Sequence, residues 1–157
     1  TVKHTRSVFY VRREFWVVVD NIETDRPRKI EALWHWHPEN TVIKARSMVQ
    51  TVNERGNLTL VPISRQKFDI QLIKGWYSPE YNLYEPNTTS SYSCEIKGNS
   101  TLVWLLMPSE KESPKIKAKI KSENKEGIML DVSAKNKKWL LNIPFYSSAN
   151  AAMEETH

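Results

Sequence analysis

An all-β fold, an antiparallel two-layer β-sandwich of about ten strands, is what this sequence predicts. Three observations carry the expectation. Short segments are dominated by Val, Ile, Thr and aromatic residues, the types that fit a pleated, half-buried surface. Turn residues punctuate these segments at close spacing, as in sandwiches and barrels. No stretch repeats apolar residues at the helical period. Hairpin-length connections imply antiparallel neighbours, since parallel ones need crossovers of a dozen residues or more.

Each element has its own justification. Val2 to Val11 and Glu14 to Asp20 flank Arg12-Arg13, which reads as a tight hairpin connection. A polar loop, Asn21 to Pro27, leads to a strand from Arg28 to His37, ended by Pro38, which cannot donate a ladder hydrogen bond. Thr41 to Val52 and Leu58 to Ser64 are strands joined at Asn53 to Asn57, with Gly56 available for positive φ. Gln66 to Lys74 alternates through Phe68, Ile70 and Leu72. Gly75 to Thr89 holds two prolines and no clean period, and reads as a long loop. Five further strands are expected: Ser90 to Ile96, Ser100 to Met107, Lys115 to Lys121, Ile128 to Ser133 and Lys137 to Ile143.

The 157 residues suit one domain, 1–157, with 144–157 as a flexible tail whose end, Asn150 to His157, is rich in small residues. A mean hydropathy of -0.57 belongs to a water-exposed globular chain. No apolar run approaches the roughly 20 residues that a membrane helix needs, so no membrane partner is expected. The chain opens at Thr1 without a charged-then-apolar leader and reads as an internal segment, leaving the compartment unspecified. A single cysteine, Cys94, excludes an intrachain disulfide and a Cys-rich zinc site.

The formal charge of +5 favours an acidic partner. Between Lys115 and Lys121 four lysines alternate with Ile116, Ala118 and Ile120, which puts the lysines on one face of a strand. Such a strip is either a solvated face that discourages edge pairing or a surface that attracts polyanions. No nucleic-acid motif accompanies it, so no nucleic acid is expected as partner. Trp76, Tyr77, Tyr81 and Tyr84 cluster in the expected loop; they can stack on sugar rings or plug the end of a sandwich.

Three of the four histidines fall within the first 37 residues. Period two in Ile30 to His37 places Ile30, Ala32, Trp34 and Trp36 on one face, the natural core face, and His35 and His37 on the other. The reversal at Arg12-Arg13 makes His4 and Asp20 neighbours, directly opposite after a three-residue loop and offset by one after a two-residue loop. If the next strand lies alongside, His4, Asp20 and one of His35 or His37 converge. Two imidazoles and a carboxylate suit Zn²⁺ or another divalent metal; ordinary hydrogen-bonded histidines are the alternative.

Taken together, these residues resemble a known family. His4-Thr5-Arg6, an apolar strand, and Phe15 to Asp20 look like the heparinase II/III pattern of His-x-Arg, strand, turn and an aromatic-rich strand ending in Asp. Trp34 to Pro38, Gly75 to Tyr81 and Leu102 to Pro108 resemble later segments of that family in the same order. The resemblance implies the C-terminal sandwich of a polysaccharide lyase, whose helical toroid precedes it and is absent here. Such enzymes cleave uronic-acid-containing polysaccharides, heparan or alginate among them, by β-elimination. It implies metal ligands at His4, Asp20 and His35, the last preferred to His37, which stands at the proline-bounded end of its strand. It further implies a catalytic role for His37, substrate contacts from Trp76, Tyr77 and Tyr81, and an acidic polysaccharide as partner. A bacterial periplasmic or extracellular parent protein is expected, with no turnover from this piece alone. The competing expectations are a stand-alone carbohydrate-binding module and a purely structural sandwich.

Overall fold

A computed structural model describes residues 1–156 and, Ala149 excepted, their side chains. The first hairpin shows how local chemistry sets register. β1 (Val2–Val11) and β2 (Phe15–Thr24) are joined by Arg12, Arg13 and Glu14; Arg13 is left-handed at φ 67° and the Glu14 N–H donates to Val11 O at 2.9 Å. Three-residue closures of this kind, with one left-handed residue, are common. The register that follows sets Arg6 opposite Asp20 and His4 opposite Ile22. His4 and Asp20 are therefore diagonal neighbours on one face.

The remaining strands are β3 (Arg28–His35), β4 (Val42–Ala45), β5 (Met48–Thr51), β6 (Asn57–Pro62), β7 (Asp69–Tyr77), β8 (Glu85–Ile96), β9 (Ser100–Ser109), β10 (Lys117–Glu123), β11 (Gly127–Ala134), β12 (Lys137–Pro144) and β13 (Ala152–Thr156). A 3-10 turn, Ser148–Asn150, precedes the last. Every pairing among the described residues is antiparallel, as expected.

The strands form three sheets, in the orders β1-β2-β9-β6-β5-β4, β3-β8-β7 and β10-β11-β12-β13. Two apolar clusters stack them into layers. One joins Val17, Val19, Val103, Leu105 and Met107 of the six-stranded sheet to Leu130, Val132, Trp139 and Leu141 of the four-stranded sheet. The other joins Val18, Ile22, Leu60, Leu102 and Trp104 to Ile70, Tyr92, Cys94 and Ile96 of the three-stranded sheet. Around β2 and β9 the six-stranded sheet is thus covered on both faces, and the expected antiparallel sandwich carries a third sheet as a further layer. β2 and β9 are interior strands covered on both sides, which is why Phe15 to Val19 and Leu102 to Met107 are continuous apolar runs.

Element boundaries differ from expectation for identifiable reasons. Thr41 to Val52 breaks at Arg46, left-handed at φ 59°, into the hairpin β4–β5, with Ala45 paired to Met48. The long loop from Gly75 to Thr89 shrinks, because β7 runs to Tyr77 and β8 starts at Glu85. Within the expected 144–157 tail the structure places one further strand. Ala152–Thr156 pairs with β12, Leu140 opposite Glu154, and so occupies the backbone groups of a strand that would otherwise be an open edge. His157 lies outside the described residues.

Candidate functional site

Asp20 sits on β2 where the six-stranded sheet meets the three-stranded one, and is 3% exposed. A buried carboxylate survives only with donors around it, and here it has four. Its Oδ1 lies 2.8 Å from His4 Nε2 and accepts from Arg6 Nε at 2.6 Å; Oδ2 accepts from Arg6 Nη2 at 2.9 Å and Trp104 Nε1 at 2.9 Å. Arg6 also lies over the Trp34 ring, 5.8 Å from its centroid. Burial alone would push the Asp20 carboxyl up, but the bonds from Arg6, His4 and Trp104 outweigh it and hold it below the ordinary range. The bond to Asp20 pushes the Arg6 guanidinium up despite partial burial.

The three expected metal ligands, His4, Asp20 and His35, are not brought together by this geometry. His35 does not join His4 and Asp20. Trp34 points inward and packs edge-on against Trp104, 5.7 Å between centroids, so alternation throws His35 onto the outer face of the three-stranded sheet. The third position beside Asp20 is taken by a guanidinium, which fills both carboxylate oxygens and would repel a second cation. Among the described residues no group of three or more His, Cys, Asp and Glu side chains could hold a metal ion. The donors at Asp20 therefore fit an ion-pair hub and do not fit Zn²⁺.

The outer face of the three-stranded sheet carries the other predicted residues. His35 pairs with Thr89 across β3–β8, and its Nδ1 lies 3.0 Å from Thr89 Oγ1. Thr89 in turn donates to Asn87 Oδ1 at 3.3 Å, and Asn87 Nδ2 donates to Trp36 O at 2.8 Å. Close approach here depends on Gly75 of β7: a Cβ on it would stand 2.1 Å from Thr89 Oγ1 and 2.5 Å from Asn87 Oδ1. On the same face Ser91 donates to Glu31 at 2.6 Å.

His37 follows β3 and meets Tyr77 edge-on, ring centroids 5.0 Å apart, while its Nδ1 accepts weakly from the Glu39 N–H at 3.4 Å. Tyr77 and Trp76, expected together in a loop, are both in β7 and so project to opposite faces. Trp76 packs edge-on against Tyr84 at 5.4 Å and carries Lys74 Nζ 5.2 Å from its ring. Tyr81 stands in solvent, 93% exposed. The imidazole–phenol pair His37–Tyr77 and the His35 imidazole are the groups on this face with chemistry suited to proton transfer. Arg6 and Gly75 entered the sequence reading only within the segments His4-Thr5-Arg6 and Gly75 to Tyr81, with no site role, and Thr89 and Asn87 were missed. Arg6 lies two residues from His4 and hence on its face.

Residues 1–129 match the family described as heparinase II/III-like, C-terminal. A heparin-sulfate lyase of Bacteroides stercoris is 23% identical over 150 residues, covering 90% of this chain and 22% of that protein. Among solved structures, the heparan sulfate lyase HepC from Pedobacter heparinus superposes with a TM-score of 0.83 at 17% identity, over 95% of this chain and 25% of that one. A heparinase III gene product gives 0.77 at 22% identity, over 91% and 24%. These structures share the fold, and the chain spans about a quarter of their length.

Proposed function

The chain belongs to the heparinase II/III-like C-terminal family, and from that membership we propose that it serves as the accessory sandwich of a longer polysaccharide lyase. In this reading it forms one wall of a substrate cleft, and a helical N-terminal domain of the same polypeptide forms the other. The substrate is an acidic, uronic-acid-containing polysaccharide, cleaved by β-elimination outside the cytoplasm. The observation that carries the reading is the family match over residues 1–129, which spans His35 of β3, His37 just after it and Tyr77 of β7.

β-Elimination needs the uronate carboxylate neutralised, a base for the C5 proton and an acid for the leaving oxygen. His37, half exposed and set against Tyr77, is the group on this chain suited to proton transfer. Tyr81 and Trp76, close to Tyr77 in sequence, are exposed aromatic surfaces that can stack on sugar rings. The Asp20 hub has a supporting role, tying β1, β2 and β9 together beneath Trp34. No catalytic step is assigned to a metal.

The test compares this chain alone with the longer polypeptide, reading the absorbance of the unsaturated uronate product on heparan sulfate. The isolated chain is expected to be silent. The longer protein is expected to turn over, with His37→Ala lowering kcat by about 10²-fold or more. Full turnover by His37→Ala would remove His37 from the chemistry, and full turnover by a longer protein lacking residues 1–157 would overturn the accessory role.

A further inference from the structure

The charge of this chain is concentrated in one place. Between Lys115 and Lys138 stand eight lysines against three carboxylates, an excess equal to the +5 of the whole chain. The fold gathers much of it. Lys117 of β10, Ser133 of β11 and Lys138 of β12 form one rung of the four-stranded sheet, so two ammonium groups flank a hydroxyl on one face. The β11–β12 turn is two residues, Lys135 and Asn136, both left-handed at φ 52° and 63°, which is the tight geometry that matches strand twist. This turn and Pro114-Lys115 close a groove of ≈ 500 Å³ lined by Lys115, Lys117, Lys135, Lys137 and Lys138.

Discouraging edge pairing does not account for it. Lysines serve that purpose on edge strands, as those of β10 do, but β12 is interior, between β11 and β13. Lys135 and Lys137 are offset by Glu14, and Lys137 by Glu155 too. Lys115, Lys117 and Lys138 have no carboxylate partner among the described residues. Three uncompensated cations around one concavity raise the local potential and favour a ligand that brings several negative groups at once. The groove is in the layer furthest from the sheet that carries His35 and His37, and Lys135, Lys137 and Lys138 lie beyond residue 129, where the family match ends.

We propose that this groove is a second binding site for acidic polysaccharide, holding carboxylate or sulfate groups of the chain at Lys115, Lys117 and Lys138, away from the cleft. The ligand class rests on the proposed function; the site rests on the lysines. It would keep the enzyme on a long polymer while the cleft releases its products, as a second linked contact raises effective concentration.

The experiment titrates the 157-residue chain with a fluorescent heparin oligosaccharide and follows anisotropy. Binding is expected, weakening with salt as screening requires. The triple variant Lys115→Ala, Lys117→Ala, Lys138→Ala is expected to bind about tenfold or more weakly with a shallower salt dependence. The corresponding Lys→Arg triple should keep most of the affinity. All three side chains are exposed, so the melting temperature should hold and exclude misfolding as the cause. Unchanged binding by the alanine triple would overturn the groove and leave the cleft reading standing. Equal affinity for a DNA duplex would overturn the polysaccharide assignment. A His37→Ala variant of the longer protein that loses turnover but still binds would separate the two sites.

Discussion

Asp20→Asn is the substitution that tests the hub most directly. The amide keeps the shape of the carboxylate but replaces one acceptor with a donor. Each Asp20 oxygen faces two groups, so either orientation breaks contacts. With the NH₂ at Oδ2 it confronts the buried indole N–H of Trp104, donor against donor. With the NH₂ at Oδ1 it can donate to a neutral His4 while Trp104 keeps its acceptor, and the loss falls on Arg6 Nε. The second orientation is therefore preferred. Removing one partner of a buried pair costs about 3–5 kcal/mol, but the Arg6 side chain is 48% exposed and can rehydrate. A loss of about 2–4 kcal/mol follows, or about 5–15 °C in melting temperature for a chain of this size. Urea unfolding followed by tryptophan fluorescence reads it, and a cycle with Arg6→Gln should show coupling above about 0.5 kcal/mol. A loss below about 1 kcal/mol for Asp20→Asn would mean that the four contacts do not hold this corner of the sandwich.

The same carboxylate sets an acid limb. Its folded pKa lies below the unfolded one, so its contribution is complete above about pH 4 and fades as pH falls through the folded value. The stability gap between wild type and Asp20→Asn should therefore shrink toward pH 2, and a constant gap would refute the linkage. Tyr92→Phe should be neutral or stabilising by up to about 1 kcal/mol, because the Tyr92 hydroxyl is buried without a partner among the described residues; a clear loss in urea midpoint would reveal an unseen partner. Gly75→Ala should cost about 1–3 kcal/mol through its clash with Thr89 and Asn87, with Thr89→Ala recovering part of it. An unperturbed Gly75→Ala protein would contradict the close approach of β7 to β8. Zinc and chelator should each leave the melting temperature unchanged, whereas a rise with zinc that His4→Ala abolishes would restore the metal set.

The all-β class was legible because nearly every segment carries β-formers and nothing carries a helical period. The third layer was legible too, though alternation alone hides it. Phe15 to Val19 and Leu102 to Met107 do not alternate, and a strand apolar at successive positions needs a layer on each side. In the structure Val17 and Val19 face one neighbour sheet while Val18 faces the other. Turn geometry was less accessible. Nothing in Arg46-Ser47 marks a left-handed residue, and moving the first three-residue loop by one position, from 11–13 to 12–14, takes His4 from opposing Asp20 to opposing Ile22, diagonal to it.

At the candidate site, strand parity bears on which residues can reach Asp20. Period two in Ile30 to His37 assigns the tryptophans to the core and the histidines to the other face. Asp20 is itself a core-facing residue, on the same side of β2 as Val18 and Ile22, and it meets the tryptophan face. A histidine opposed in parity to Trp34 is then turned away from Asp20 whichever strand lies next to β2. The residue with matching parity was Arg6, and a guanidinium on a buried carboxylate, in place of a second imidazole, converts a ligand set into a clamp. Lys138 follows the same logic in reverse. The lysine strip of β10 is visible in one segment, but its conversion into a groove depends on a turn at Lys135-Asn136 that brings a second strand's lysine onto the same rung. Chemistry confined to one strand can be read from periodicity, whereas chemistry shared between strands waits on register.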